Sequence, residues 1–379
     1  MNGNLRVGNL FGIPFYVNAS WFLVLALITW NYGSGLASAF PLLLGATPWL
    51  LGLLTAMLLF GSVLAHELGH SFAAMQQGIS VNSITLFLFG GLAALDKESD
   101  TPGGAFKVAI AGPAVSLVLF AFLFTAGQVL ALSGPTGAIV SVLAYINLAL
   151  GVFNLLPGLP LDGGNVLKSL VWKVTGNPYR GMAFASRTGQ VIGWLAVGVG
   201  LASLLGISTY GNVWTLLMGW FLLSNANRSA QSATVQQRLH GLTAEDALVA
   251  ESPIVSSHTS IRTFVDEVLL ANQGTWRKFL VVDENEHLVG TLPVDALRDV
   301  PRDRWEITAI GNIMHEPEVL VTVNFDEPLL DVVKLLEQKQ LPLLAVIREN
   351  GKLLGLLEKA SILERLRRGS QFVRPVSVS

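Results

Sequence analysis

The chain has 379 residues, of which 51% are hydrophobic and only 13% charged, where an average soluble domain carries about 25% charge. A net charge of −2 leaves no electrostatic footprint for nucleic acid, and the absence of cysteine excludes disulfides, thiol catalysis and cysteine metal sites. The charge is unevenly placed: residues 1–230 hold eight Lys or Arg and five Asp or Glu, while residues 231–379 hold the other sixteen and twenty-one. That split predicts a membrane part followed by a soluble part.

The N-terminus, MNGNLRVGNLFGIPFYVNAS, lacks the basic region, short apolar core and small-residue cleavage site of a secretory signal, so the first apolar run is expected to be a retained anchor. A spanning helix needs about 20 mostly apolar residues. Six segments are read as spans: 19–30, 49–76, 106–132, 138–156, 186–205 and 213–225. The first reaches full length only if 15–17 and 31–33 extend it. With the N-terminus inside, the outer loops are 31–48, 133–137 and 206–212, and none contains a charged residue. Arg6, Lys97, Lys107, Lys168, Lys173, Arg180, Arg187 and Arg228 all fall on the inner side or at inner helix ends. This positive-inside pattern predicts a multi-pass protein of the cell membrane, with both termini cytoplasmic.

The second span carries His66-Glu67-Leu68-Gly69-His70. On a helix, positions i and i+4 share a face about one turn apart, so two imidazoles can converge on one zinc ion. The intervening Glu67 can then reach a metal-bound water as its general base. Such a motif also arises by chance on surface helices. Here it follows the run WLLGLLTAMLLFGSVLA, and ionisable groups at membrane depth default to function. Gly69 leaves room for another backbone beside the metal.

A catalytic zinc commonly has three protein ligands and an open position. Asp162 is the only acidic residue between Lys107 and Lys173, and it follows Asn154-Leu-Leu-Pro157-Gly-Leu-Pro160-Leu161. The prolines and glycines break the fourth span, and broken backbone at membrane depth is tolerated where it lines a cavity. Alone, Asp162 reads equally well as a cap for a helix over 165–174. Beside His66 and His70 it reads as the third ligand.

These residues resemble the site-2 protease family of intramembrane zinc metalloproteases. His66–His70 is similar to that family's HExxH, and Asn154 to Gly164 to its N-x-x-P-x-x-P-L-D-G-G segment. Ala111–Ser116 resembles its Gly-Pro element, and residues 81–95, with Phe89-Gly90-Gly91, its membrane-associated strand region. The resemblance implies one zinc ion on His66, His70 and Asp162, with Glu67 as general base and acid. It also implies a role for Asn154 in holding substrate or stabilising the oxyanion, with Gly90 and Gly91 as further candidates. The implied substrates are transmembrane proteins such as membrane-anchored regulators, cut near the cytoplasmic face. An unwound substrate is expected to pair with the strand at 85–89 by strand addition, or that segment simply caps the site.

The soluble part contains a repeat. The first copy runs Ser252-Pro-Ile-Val-Ser, a helix over 261–272, Phe279–Asp283 and His287-Leu-Val-Gly290. The second runs Glu316-Pro-Glu-Val-Leu-Val, a helix over 329–338, Leu343–Ile347 and Lys352-Leu-Leu-Gly355. The period is about 65 residues. This resembles a tandem pair of cystathionine-β-synthase-type (CBS) domains, which implies an adenine nucleotide site or a homodimer interface. The family's ligand-binding pattern, Gly-x-x-Ser/Thr-x-x-Asp, meets Pro293 and Ala296 in one copy and Glu358 and Ser361 in the other. A structural or dimerising role therefore ranks ahead of nucleotide sensing. His240, His258, His287 and His315 lack ligand spacing and are read as surface residues.

The expected fold is a multi-pass α-helical membrane protein of six transmembrane helices with a small strand region, followed by a soluble α/β tandem CBS pair. The expected boundaries are a membrane domain at 1–228, a linker at 229–240, CBS copies at 241–300 and 311–370, and a flexible tail at 371–379. Two other classes compete with the protease: a CBS-gated transporter or channel, and a catalytically silent membrane scaffold. Neither needs an Asp162 delivered by a broken helix.

Overall fold

The structure, a computed structural model, describes residues 4–87, 90–248, 252–269, 276–316, 321–359 and 362. It divides into two units, Met1–Thr234 and Val235–Ser379.

The first unit opens with a hairpin that hydropathy does not announce. β1 (Asn4–Leu10) and β2 (Ile13–Asn18) pair antiparallel around a Phe11-Gly12 turn, both residues at positive φ. Residues 15–17 therefore belong to β2 and do not extend the first span. The reason is local: Asn18 is extended, and its side chain accepts a hydrogen bond from Ser20 N, which starts α1 (Ala19–Ala39) at that point. The helix gains its length at the other end, through 31–33 and beyond.

α2 (Thr47–Met75), α3 (Pro102–Val129) and α4 (Gly134–Asn154) follow the expected spans closely. Prolines near their starts and the Thr101 hydroxyl, which accepts from Gly104 N, fix where α2, α3 and α4 begin. Among the described residues, α1 to α4 are long and apolar enough to cross a membrane. The fifth and sixth expected spans lie in α6 (Pro178–Leu204) and α7 (Val213–Leu239), which fall short of that apolarity. Arg180, Arg187 and Gln190 dilute the first half of α6, and the second half of α7 is polar from Asn225 to Arg238. α7 also runs unbroken through most of 229–240.

Close helix approach rests on small residues, as in other membrane bundles. A Cβ on Gly52 would stand 2.7 Å from Thr29 O of α1. One on Gly69 would stand 2.9 Å from Ala111 O, so the backbone that Gly69 admits beside the motif is that of α3.

Between α2 and α3 lie β3 (Val81–Phe87) and β4 (Gly90–Leu95), completing a sheet of order β1-β2-β3-β4. Both edges of β3 are taken, by β2 in parallel and β4 antiparallel. The strand expected at 85–89 to receive a peptide is thus interior, and the outer strands are β1 and, beside Glu67, β4. Phe89 lies outside the described residues.

The second unit holds two three-stranded sheets of one design. In each, the first strand pairs parallel to the second and the second antiparallel to the third. The strands are β5 (Ile254–Ser256), β6 (Lys278–Val282) and β7 (Leu288–Pro293), then β8 (Thr322–Asn324), β9 (Leu343–Ile347) and β10 (Leu353–Glu358). α8 (Ile261–Thr263) continues as a wider π-type turn through Leu269, and the rest of its expected helix lies outside the described residues. Its counterpart α9 (Leu329–Gln338) is regular. Leu280 and Val282 of one copy meet Ala345, Leu353 and Leu356 of the other in a shared apolar cluster. Residues 371–379 and Ser361 lie outside the described residues.

Candidate metal centre

α2 presents His66 and His70 on one face, and α5 (Asp162–Thr175) delivers Asp162 to them. α4 ends at Asn154, and a turn over 155–161 reverses into α5. Leu159 N bonds to Ala185 O of α6, and Leu161 N to Gly158 O, so the broken backbone is satisfied within the protein. The glycines after Asp162 are sterically required. A Cβ at Gly163 would overlap the Leu155 carbonyl, and one at Gly164 would overlap Leu159 N. Asp162 is the first residue of α5, with Leu161 in the cap position and no side-chain cap bond. Its carboxylate therefore faces the histidines rather than its own helix.

Asp162 Oδ2 lies 3.1 Å from His66 Nε2 and 3.3 Å from His70 Nε2, and the two nitrogens are 3.3 Å apart. The far side of each ring is held. His70 Nδ1–H donates to the Val108 carbonyl at 2.7 Å, and His66 Nδ1 lies 2.9 Å from Ser116 Oγ. Because the Val108 carbonyl can only accept, His70 Nδ1 carries the proton and its Nε2 presents a lone pair to the centre. Two imidazole nitrogens and a carboxylate oxygen thus converge with similar spacings. Donors about 2.0–2.1 Å from a tetrahedral ion stand about 3.3 Å from one another, so this triangle fits one zinc ion with a fourth position open. Among the described residues, this is the one group of three or more His, Asp and Glu side chains close enough to share an ion.

Glu67 sits against β4. A Cβ on Gly91 would overlap the Glu67 side chain, and the backbone N–H of Ala93 bonds to its carboxylate. Gly112 of α3 has a matching role beneath His70, whose imidazole fills the place of a Cβ. A cavity of about 630 Å³ joins these groups. The expected site residues His66, Glu67, His70, Gly90, Gly91, Asn154 and Asp162 all line it.

Sequence reasoning gave no role at the centre to five contributors. Ser116 and the Val108 carbonyl orient the imidazoles, Ala93 holds Glu67, and Lys168 and Glu98 form an ion pair at the cavity wall. Ser116 carried a signal, as a hydroxyl in an apolar helix; backbone groups carry none.

The fold and the site define a class: a membrane-helix protein with a metal-competent His-His-Asp triangle and a carboxylate poised beside it, as zinc peptidases have. Residues 54–134 and 128–196 match peptidase family M50, and residues 310–368 match the CBS domain. The chain is 53% identical to a Synechocystis sp. protein named "Putative zinc metalloprotease sll0528", over 97% of this chain and 96% of that one. It is 27% identical to the zinc metalloprotease MJ0392 of Methanocaldococcus jannaschii, over 97% of each. The solved site-2 protease from Methanocaldococcus jannaschii aligns with a TM-score of 0.43 and 27% identity, over 60% of this chain and 95% of that one. The chain belongs to peptidase family M50, the site-2 protease family, and carries a CBS domain after its membrane unit.

Proposed function

We propose that the protein is a zinc-dependent endopeptidase that cleaves transmembrane segments of membrane-protein substrates near the cytoplasmic face. The observation that carries this reading is the donor triangle of His66, His70 and Asp162 with Glu67 beside it. One zinc ion per chain would polarise the scissile carbonyl and activate the attacking water. The chain's own residues do the rest. Val108 and Ser116 fix the imidazole orientations. Glu67 accepts the proton of the attacking water and returns it to the leaving amine. Asn154, at the end of α4, is suited to donate its amide to the developing oxyanion, with the Gly90-Gly91 backbone close by. The outer edge of β4, apart from the Ala93 N–H already held by Glu67, offers hydrogen bonds to an unwound peptide, whose helical amides would otherwise stay paired to themselves.

We further propose six spans in the cell membrane, with both termini and the soluble unit cytoplasmic. The turns at 40–46, 130–133 and 205–212 contain no charge, and the basic residues of the membrane unit fall outside them, in the segments this topology puts on the inner side. The proposed division is a protease domain at 1–228, a linker at 229–240 and two CBS copies within 241–370. For the CBS pair we favour a structural or dimerising role over adenine nucleotide binding. Pro293 and Glu358 end β7 and β10 in equivalent register, opposite Lys278 and Leu343, where a hydroxyl would be needed.

The test is Glu67→Gln in the full chain. The variant should keep zinc at wild-type stoichiometry and lose cleavage of a co-expressed single-span substrate by about 10²- to 10⁴-fold, the usual weight of a general base. Unchanged cleavage overturns the reading.

A further inference from the structure

The mechanism leaves one buried charge unused. α5 sets Asp162, Asn165 and Lys168 at three-residue intervals, and all three line the cavity. Lys168 is 8% exposed, yet its ammonium stands at the cavity wall, 2.6 Å from Glu98 Oε2. Glu98 belongs to the loop between β4 and α3, and its side chain is 80% exposed.

The pair is unequal. Glu98 surrenders little on leaving, because water already reaches it and returns to it at once. Lys168 has a buried stem and a confined head, so losing its counter-charge costs it more. The ammonium is a fixed cation, and Glu98 is an exchangeable partner for it.

Distance places this cation relative to the chemistry. Lys168 lies six residues beyond Asp162 on one helix, about 9 Å along its axis. An extended peptide covers that in two to three residues. The chain itself links the two places: β4 passes Glu67 at Gly91 and Ala93, ends at Leu95, and leads to Glu98, the partner of Lys168. A peptide laid along the outer edge of β4 would bring a side chain two to three residues from the cleaved bond to the Lys168 ammonium.

Building on the protease reading above, we propose that Lys168 is a specificity-determining residue that selects substrates bearing a carboxylate side chain two to three residues from the cleaved bond. An aspartate or glutamate there displaces Glu98 and takes its bond to the ammonium. An amide makes a weaker bond, and a lysine meets a like charge.

The experiment uses the zinc-loaded full chain in detergent and a series of single-span substrates. Positions two and three residues from the cleaved bond, on either side, are set in turn to Asp, Asn or Lys. At one position, kcat/KM is expected to fall about tenfold from Asp to Asn, as for loss of a charge-assisted hydrogen bond, and further for Lys. In Lys168→Met the Asp-to-Asn ratio should drop to about one. In Lys168→Glu the preference should turn towards Lys. Glu98→Gln should lower KM for the Asp substrate, since the competing carboxylate is gone; a purely structural ion pair would not do this. Equal kcat/KM across the series in the wild type, or a preference for Lys, overturns the assignment without any variant having to fold. A preference for Asp that persists in Lys168→Met also overturns it. Failure of the zinc-loaded wild type to cleave any substrate is a different result: it overturns the protease reading itself, and this inference with it.

Discussion

The two halves of the chain treat polar residues in opposite ways. In the membrane unit charged residues are scarce, and the metal-competent group is enclosed: His66 and Ser116 are almost fully buried and bonded to each other, and His66 also meets Asp162. In the second unit polar residues are plentiful and dispersed, and the order comes from apolar strands, with Phe279, Val281, Leu344 and Val346 fully buried. A polar group in hydrocarbon is costly enough to need a reason, so in the first unit residue type points to function. In water the same residue type costs nothing, so in the second unit the repeat reveals the fold and leaves the ligand open.

If the halves are built on separate cores, damage to one should spare the other. Phe279 is fully buried, its ring edge-on to Phe264 at 4.8 Å. Phe279→Ala should destabilise the second unit by about 3–5 kcal/mol, read as a lowered unfolding transition in calorimetry of the full chain. Zinc content should stay at the wild-type level. Loss of zinc in step with that transition would show the halves to be one cooperative body and break the contrast.

A smaller effect tests the metal side. Ser116 belongs to α3, fifty residues from His66 in sequence, and its hydroxyl holds the ring nitrogen turned away from the centre. Ser116→Ala should weaken zinc binding by about 10- to 100-fold, the range seen when such supporting bonds are removed. Competition with a chelator of known affinity measures it, and an unchanged affinity would leave His66 oriented by packing alone.

That residue also marks how far the sequence could be read. His66, Glu67 and His70 were legible because a helix maps four residues onto one face, and Asp162 because a proline-glycine break stands out in an apolar span. The Gly-Pro element containing Ser116 was visible by resemblance, but nothing in linear order says which hydroxyl meets which ring. The β1–β2 hairpin was illegible for a related reason. Its apolar residues continue into those of α1, and only the capping geometry of Asn18 separates strand from helix. The open edge fell to β4 rather than β3 because pairing of β2 with β3 is a long-range choice.

The smallest effect concerns the two copies within the second unit, which differ at one turn. In the first, Asp283 Oδ1 accepts from His287 N at 2.8 Å and from Asn285 N at 2.9 Å. In the second, Asn350 makes the comparable bond, accepting from Lys352 N at 3.2 Å without a charge. The backbone N–H of His287, aided by that of Asn285 and by the nearby imidazole, holds the Asp283 carboxyl below its ordinary 3.8. A depressed carboxylate stabilises the folded state above its unfolded pKa, and loses that contribution as pH falls through the folded value. The first copy should therefore carry a small acid sensitivity below about pH 4 that the second lacks. The measurement is the unfolding temperature of the second unit in wild type and Asp283→Asn from pH 6 down to 3. The wild-type advantage should shrink across the acid end, because the substituted amide keeps an acceptor but no titrating charge. A difference that stays constant with pH would mean the turn is held by its backbone geometry, and that the two copies are equivalent there after all.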